Sequence, residues 1–341
     1  MDIEFHYWIT GLVAQRAGFT PAESQTIAYA AQYIDENDIS YTIQDREGKS
    51  APYINFMSQT MNILKPKDTL MRIYPIFHFV PGEPDADSAR RRDGKMHLLN
   101  TTPDSGYAND MLDAAFKADD ATRLYRIGVA SHTYVDTWAH QNFIGWYDAF
   151  NEIELLKPVP AIGHAPAEHH PDWVSYLWID PRLVEGEVSN RTRFIDAAHA
   201  LFLRYCAYQV AQGHPDKRAD WQSLLTELDT IMGRTYSGET QLYQDDRLKS
   251  YRNRLTSFPE FEEEAWFNAA IHTDVRGLKD NPNGLLNGFT LFKDKYYWRE
   301  DVEIEKTDWY RFQEAVKEHE RYSIKLLSER FVRMGYDLAT V

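Results

Sequence analysis

The residues best placed for chemistry lie in Gly128-Val129-Ala130-Ser131-His132-Thr133-Tyr134-Val135-Asp136-Thr137-Trp138-Ala139-His140, an H-x-x-x-D-x-x-x-H pattern. On a helix each step of four residues advances about 40° past a full turn and rises about 6 Å, so the three side chains share a narrow stripe. His132 and His140 then sit about 12 Å apart along the axis, too far to ligate one ion together. Asp136 stands between them with two oxygens. A carboxylate flanked by two imidazoles is what a two-metal site needs, with ions about 3.5–4 Å apart. A single buried His is usually a core residue satisfied by a hydrogen bond. Three ionisable groups on one stripe among Val129, Val135 and Trp138 must be paired or coordinated to survive burial.

Further ligand types are scattered along the chain. Asp2 and His6 are spaced i,i+4 on a first helix, although an acidic helix start is also what the macrodipole favours. Asp35 ends an apolar helix beside Glu36 and Asp38, where solvation is the plainer alternative. His78 lies between Phe77 and Phe79, as a ligand or as a core imidazole bonded to a carbonyl. The segment from Gly163 to Trp173 is dense in ligand types: His164, Glu168, His169, His170 and Asp172. It reads equally as a solvated polar loop.

Helices must position these groups. Residues 2–17 predict a first helix stopped by Gly18. Thr20-Pro21-Ala22-Glu23 is a capping box that opens a second helix to about Asp38. Tyr41, Thr42 and Ile43 look extended. From Lys65 to Asp104, five of the 15 prolines imply an irregular surface excursion that carries His78. Helix returns at about 104–118 and 120–148. A loop-rich stretch follows at 155–190, then helices at about 190–212, 216–233, 238–253 and 260–274. A Gly/Asn/Pro-rich break spans Gly277 to Gly288 before a long charged helix at about 307–334. The expected fold class is all-α, with no strand-rich block and no repeat. One helical domain covers 1–341, with a site-bearing core at about 1–175 and a helical remainder at about 190–341 that ends in a C-terminal extension.

The composition limits the partners. The 341 residues are 43% hydrophobic and 14% aromatic, and 37 Lys plus Arg face 52 Asp plus Glu, for a net charge of −15. This balance excludes a broad cationic face for nucleic acid. An anionic substrate needs something other than surface charge to hold it, and the 12 His supply metal ligands. The one cysteine, Cys206, excludes an intrachain disulfide and a Cys-based zinc site, and reads as a small buried apolar group. The N-terminus lacks the pattern of a signal peptide and no apolar run is long enough to span a bilayer, so a cytoplasmic location is expected. The oligomeric state is not encoded in any feature of the chain.

The segment Gly128 to His140 resembles the zinc-dependent phospholipase C and fungal single-strand nuclease superfamily, and is closer to its phospholipase-type members. The order of pieces is similar too: an early His (His6), an Asp ending a helix (Asp35), a His before Phe (His78-Phe79), the H-x-x-x-D helix, and a downstream His with a carboxylate (His164 with Glu168 or Asp172). The openings Asp2-Ile3-Glu4-Phe5-His6 and Gln32-Tyr33-Ile34-Asp35 also resemble those of an uncharacterised bacterial family.

The resemblance implies an all-α fold around two or three zinc ions. Asp35, His78, His132 and Asp136 would hold one, and His140, His164 and Glu168 or Asp172 a second. His6 would join Asp136 at a third. In relatives the amino group of the mature first residue is also a ligand, a place for which Asp2 is the substitute expected here. The expected activity is metal-dependent hydrolysis of a phosphodiester, small or lipid-derived, by an activated water. Asp35 and Asp136 would be the catalytic carboxylates. His/carboxylate ligation without Cys suits zinc, and other divalent transition metals remain open. The alternative is a non-catalytic, metal-stabilised binding protein with a partner face around Trp173, Trp178, Tyr296, Tyr297 and Trp298.

Overall fold

The computed structural model describes residues 1–60, 67–153, 161–275 and 294–338. The expected break from Gly277 to Gly288 lies outside these residues, as do Pro66 and Pro158.

The chain opens with a wide π-helical stretch, Glu4–Ile9, that tightens into α1 (Thr10–Ala17). Gly18 stops it at φ 111°, a left-handed conformation that glycine adopts without penalty. The capping box forms as expected: Thr20 Oγ1 accepts from the Glu23 N–H, and the Glu23 carboxylate accepts from the Thr20 N–H at 2.8 Å. It starts α2 (Pro21–Glu36), which buries Ile27, Ala28, Ala31 and Ile34. After β1 (Thr42–Gln44) and β2 (Tyr53–Ile54), α3 (Lys67–Ile73) runs into a second π-helical turn, Tyr74–His78. Then come α4 (Gly106–Phe116) and α5 (Arg123–Ala139).

Helix α5 is the centre of the molecule. It is buried from Tyr125 to Ala139, as expected of a helix enclosed on all sides, and packs on α2 and α4. Gly128 makes the α2 contact possible. A Cβ there would lie 2.5 Å from the Ile27 carbonyl oxygen and 2.6 Å from Ala30 Cβ. The strands β3 (Leu177–Ile179) and β4 (Glu187–Ser189) form an antiparallel hairpin before α6 (Asn190–Ala211). The chain continues through α7 (Trp221–Met232), α8 (Gln244–Arg254), α9 (Ala265–Ala270), β5 (Ile271–Asp274), β6 (Lys295–Trp298) and α10 (Asp308–Arg333). Both α6 and α10 pack against α5.

The fold is mostly helical but not all-α. A four-stranded sheet in the order β2-β1-β6-β5 joins the two ends of the chain, with β1 parallel to β6 at Ile43↔Tyr296. Its strands are two to four residues long, too short for an alternating pattern to register. The helix expected at 260–274 gives way at Ile271, where Ile and Thr favour a strand. The helix expected to reach 148 ends at Ala139. The stretch read as a surface excursion instead buries Leu70, Ile76, Phe77 and His78, because its apolar residues follow a wide turn rather than an α-helical period. Trp178 and Trp298, which the alternative reading puts at a partner face, are buried. No helix among the described residues is long and apolar enough to cross a membrane.

Candidate metal centre

Three groups of ligand atoms converge on Asp136. His78 Nδ1, His132 Nε2 and Asp136 Oδ2 form the first, with separations of 3.1 Å (His132–His78), 3.2 Å (His132–Asp136) and 3.4 Å (His78–Asp136). Asp35 Oδ1 lies 3.8 Å from both imidazole nitrogens. A tetrahedral ion with arms of about 2.0–2.1 Å has ligand atoms about 3.3 Å apart, so these four residues have the span of one coordination sphere. His140, His164 and Asp172 form the second group. Asp172 Oδ1 is 3.2 Å from His140 Nε2, and its Oδ2 is 3.3 Å from His164 Nε2. His6 belongs to a third group with Asp35 and His132. His6 Nε2 also lies 3.2 Å from Asp136 Oδ1, and the Met1 amine lies 2.6 Å from that same oxygen and 3.3 Å from Asp172 Oδ1.

Local structure aims each ring. His132 and Asp136 are one turn apart on α5, and His140 caps its end, donating its N–H to the Asp136 carbonyl at 2.8 Å. His6 and His78 both sit in π-helical stretches, wide turns that recur at functional sites. Four imidazoles are locked by a hydrogen bond from one ring nitrogen to a backbone carbonyl. These are His132 Nδ1 to Ala31 (2.8 Å), His78 Nε2 to Ser58 (2.9 Å), His140 Nδ1 to His78 (2.8 Å) and His164 Nδ1 to Glu168 (2.7 Å). A carbonyl only accepts, so each of these nitrogens carries a proton, and in the neutral ring the other nitrogen faces the cluster as a lone pair. His6 is fully buried, and neither of its nitrogens makes a hydrogen bond among the described residues.

The electrostatics agree. Burial works against the Asp136 carboxylate, but His140, the Met1 amine, His132 and His6 outweigh it and hold Asp136 well below the usual carboxylate range. Asp172 is likewise depressed, its burial outweighed by His164, the amine and His140. Burial pulls His6 down to about 3 and His164 to about 4, which leaves neutral rings able to ligate. Burial opposes charge on the Met1 amine, yet Asp136 and Asp172 raise it to about 11. His78 is raised despite its burial, by its hydrogen bond to Asp136 and by the Asp35 and Asp136 charges.

Every residue expected at the site except Asp2 and Glu168 contributes a ligand atom to these groups. The Asp2 carboxylate accepts instead from Gln241 Nε2 at 2.8 Å and from the Glu4 N–H at 3.1 Å, and the Met1 nitrogen takes the position expected for it. Glu168 offers its carbonyl to His164 rather than its carboxylate to the cluster, from a backbone at φ 55° and ψ −131°. The amine that Asp2 was expected to replace is supplied instead by Met1, which lies beside Asp136 and Asp172.

A cleft of about 810 Å³ opens on the cluster. Asp35, His78, His140, His164 and Asp172 form its floor, Tyr74, Phe79, Ile162 and Trp173 give it apolar walls, and Asp2, Glu36, Asp38 and Glu168 add acidic groups. No Lys or Arg lines it among the described residues.

No curated protein and no solved structure matches the chain in a similarity search. One family model does match, over residues 1–327, and by that match the chain belongs to DUF6765, a family of unknown function.

Proposed function

We propose that the cleft is the active site of a metal-dependent phosphoesterase, with zinc as the favoured ion and a small or lipid-derived phosphodiester as substrate. One observation carries this: His78 Nδ1, His132 Nε2 and Asp136 Oδ2 lie within 3.4 Å of one another, and the carbonyl bonds at the far nitrogens of both rings leave these three atoms to face a single cation. Such a set needs positive charge at its centre, which a proton on His78 supplies in the metal-free protein and an ion would replace. The motif order that resembles the zinc-dependent phospholipases supports the same reading.

Bound ions would supply an activated water and offset charge on the phosphoryl oxygens. The chain's own residues do the rest. Asp136 is 1% exposed and ties two ligand groups together, while Asp35 is 24% exposed and reaches the cleft. Asp35 is therefore the carboxylate placed to orient a water and take its proton. Gln59 Nε2 donates to Asp35 Oδ1 at 3.4 Å and steadies it. Phe79, Ile162 and Trp173 offer apolar surface to the non-phosphate part of a substrate. With no Lys or Arg among the described residues that line the cleft, the ions and the Met1 amine are left to supply counter-charge to a phosphoryl group.

That same acidic lining favours a second reading, a metal-stabilised binding protein without catalysis, because no Lys or Arg among the described lining residues marks a phosphate position. Metal-loaded protein incubated with bis-p-nitrophenyl phosphate separates the two. Turnover that His132→Ala abolishes supports the enzyme. Metal uptake without turnover on this or on lipid phosphodiesters favours the binding protein.

A further inference from the structure

Outside the ligand cluster, the partner that fixes the His78 ring among the described residues is the Ser58 carbonyl, which receives its Nε2 proton at 2.9 Å, so whatever holds Ser58 helps set the direction of Nδ1. Ser58 lies in a loop without regular structure, between β2 and α3. Asn37 fastens it. The Asn37 carbonyl accepts from the Ser58 N–H at 3.0 Å, and Asn37 Nδ2 donates to Ser58 Oγ at 3.1 Å and to the Phe56 carbonyl at 2.7 Å. The Ser58 hydroxyl in turn donates to the Ile34 carbonyl at 2.9 Å. On its other side Asn37 Oδ1 accepts from Gln313 Nε2 of α10 at 2.9 Å and from Asn55 Nδ2 at 3.4 Å. Gln313 Oε1 completes the link by accepting from the Phe56 N–H at 3.3 Å. All four hydrogen-bonding positions of the Asn37 amide are used, in a buried network that no solvent can substitute.

Asn37 is also the residue at which α2 ends, two positions beyond Asp35, with φ −85° and ψ 62°. One side chain thus joins the helix end that presents Asp35, the loop that orients His78, and the distant helix α10. We infer that Asn37 is a positioning residue for the His78 ligand and that Gln313 extends this control to the C-terminal helix. The inference rests on the metal reading of the cluster, and it assigns part of the chain beyond the ligand-bearing core a task at the site.

The test uses the full chain, with cobalt as a visible and paramagnetic probe. Two quantities are read: cobalt affinity at the His78 group, from the shifted His78 resonances, and the His78 ring tautomer, from imidazole nitrogen spectra. Asn37→Leu removes the amide without adding charge. It is expected to weaken cobalt at this group by about 10- to 100-fold, the usual cost of losing an outer partner, and to disturb the Nε2–H tautomer. Gln313→Met, a gentler change that decides the matter if Asn37→Leu does not fold, shifts both in the same direction by less. Leu228→Ala, a core truncation on α7, lowers the melting temperature and leaves both unchanged. Variants that melt earlier yet bind cobalt as the parent does, with the same tautomer, overturn the inference while leaving the metal reading intact. Parent protein that takes up no cobalt overturns both.

Discussion

Asp136 Oδ1 accepts a 2.6 Å hydrogen bond from the Met1 amine, while its Oδ2 faces His132 and His78. The two oxygens of one carboxylate therefore serve two different neighbourhoods, and the amine stands in one of them as a built-in cation. This single residue links the start of the chain, the π turn that carries His78 and the central helix.

Replacing Asp136 by Asn keeps its shape and removes its charge. Both the His78–His132 group and the His6–Met1 neighbourhood lose their shared carboxylate, so Asp136→Asn is expected to lower the metal content by at least one ion per chain. Elemental analysis of the desalted protein reads this directly. Content equal to that of the parent would show that Asp136 is not a ligand.

The carboxylate next to His140 and His164 is that of Asp172. Asp172→Asn is expected to lose the ion of that group, whereas Asp2→Asn and Glu168→Gln keep the full metal content. Sequence alone left Glu168 and Asp172 equal, because helical spacing favours Glu168 and Pro166 argues against a helix there. The structure separates them through a turn that is not readable from residue types: Glu168 adopts a positive φ and turns its carbonyl to His164.

Much else was legible. The α2 start, the length of α6 and the stripe on α5 follow from a capping box, from apolar spacing and from i,i+4 ligands, all local signals. The two π turns carrying His6 and His78 were not legible. Their wide hydrogen-bond pattern is stabilised by what they pack against, not by residue preference. The sheet escaped because β1 and β6 pair from opposite ends of the chain, and such long-range pairing leaves little trace in either short segment.

Uptake of metal should depend on pH through the Met1 amine. Its pKa of about 11 means that it carries a proton at pH 7, whereas His6 at about 3 and His164 at about 4 do not. An ion that takes the amine nitrogen must displace that proton, so apparent affinity is expected to rise up to about tenfold per pH unit from pH 7 to 9. In the metal-free protein the sign is opposite. A raised folded pKa means that the amine's ion pairs stabilise the fold fully below about pH 8, and this contribution is lost as pH rises through about 11. Calorimetric titration in buffers of different ionisation enthalpy counts the protons. Uptake with no proton release and no pH slope would remove the amine from the site.

Gly128 lets α5 lie against α2 and so lets His132 reach the Ala31 carbonyl. Gly128→Ala forces a Cβ against the Ile27 oxygen and Ala30. The expected cost is about 1–3 kcal/mol by urea unfolding, the usual penalty for overpacking, together with weaker metal binding at His132. A change within about 0.5 kcal/mol, typical of an unstrained surface site, would show that the helices part without consequence.

The most direct measurement of the central claim is anomalous diffraction at the zinc edge from crystals of zinc-loaded protein. The account predicts one peak enclosed by Asp35, His78, His132 and Asp136, and another among His140, His164 and Asp172. Well-ordered crystals with no peak at either position, or with zinc bound only at surface residues, would contradict it.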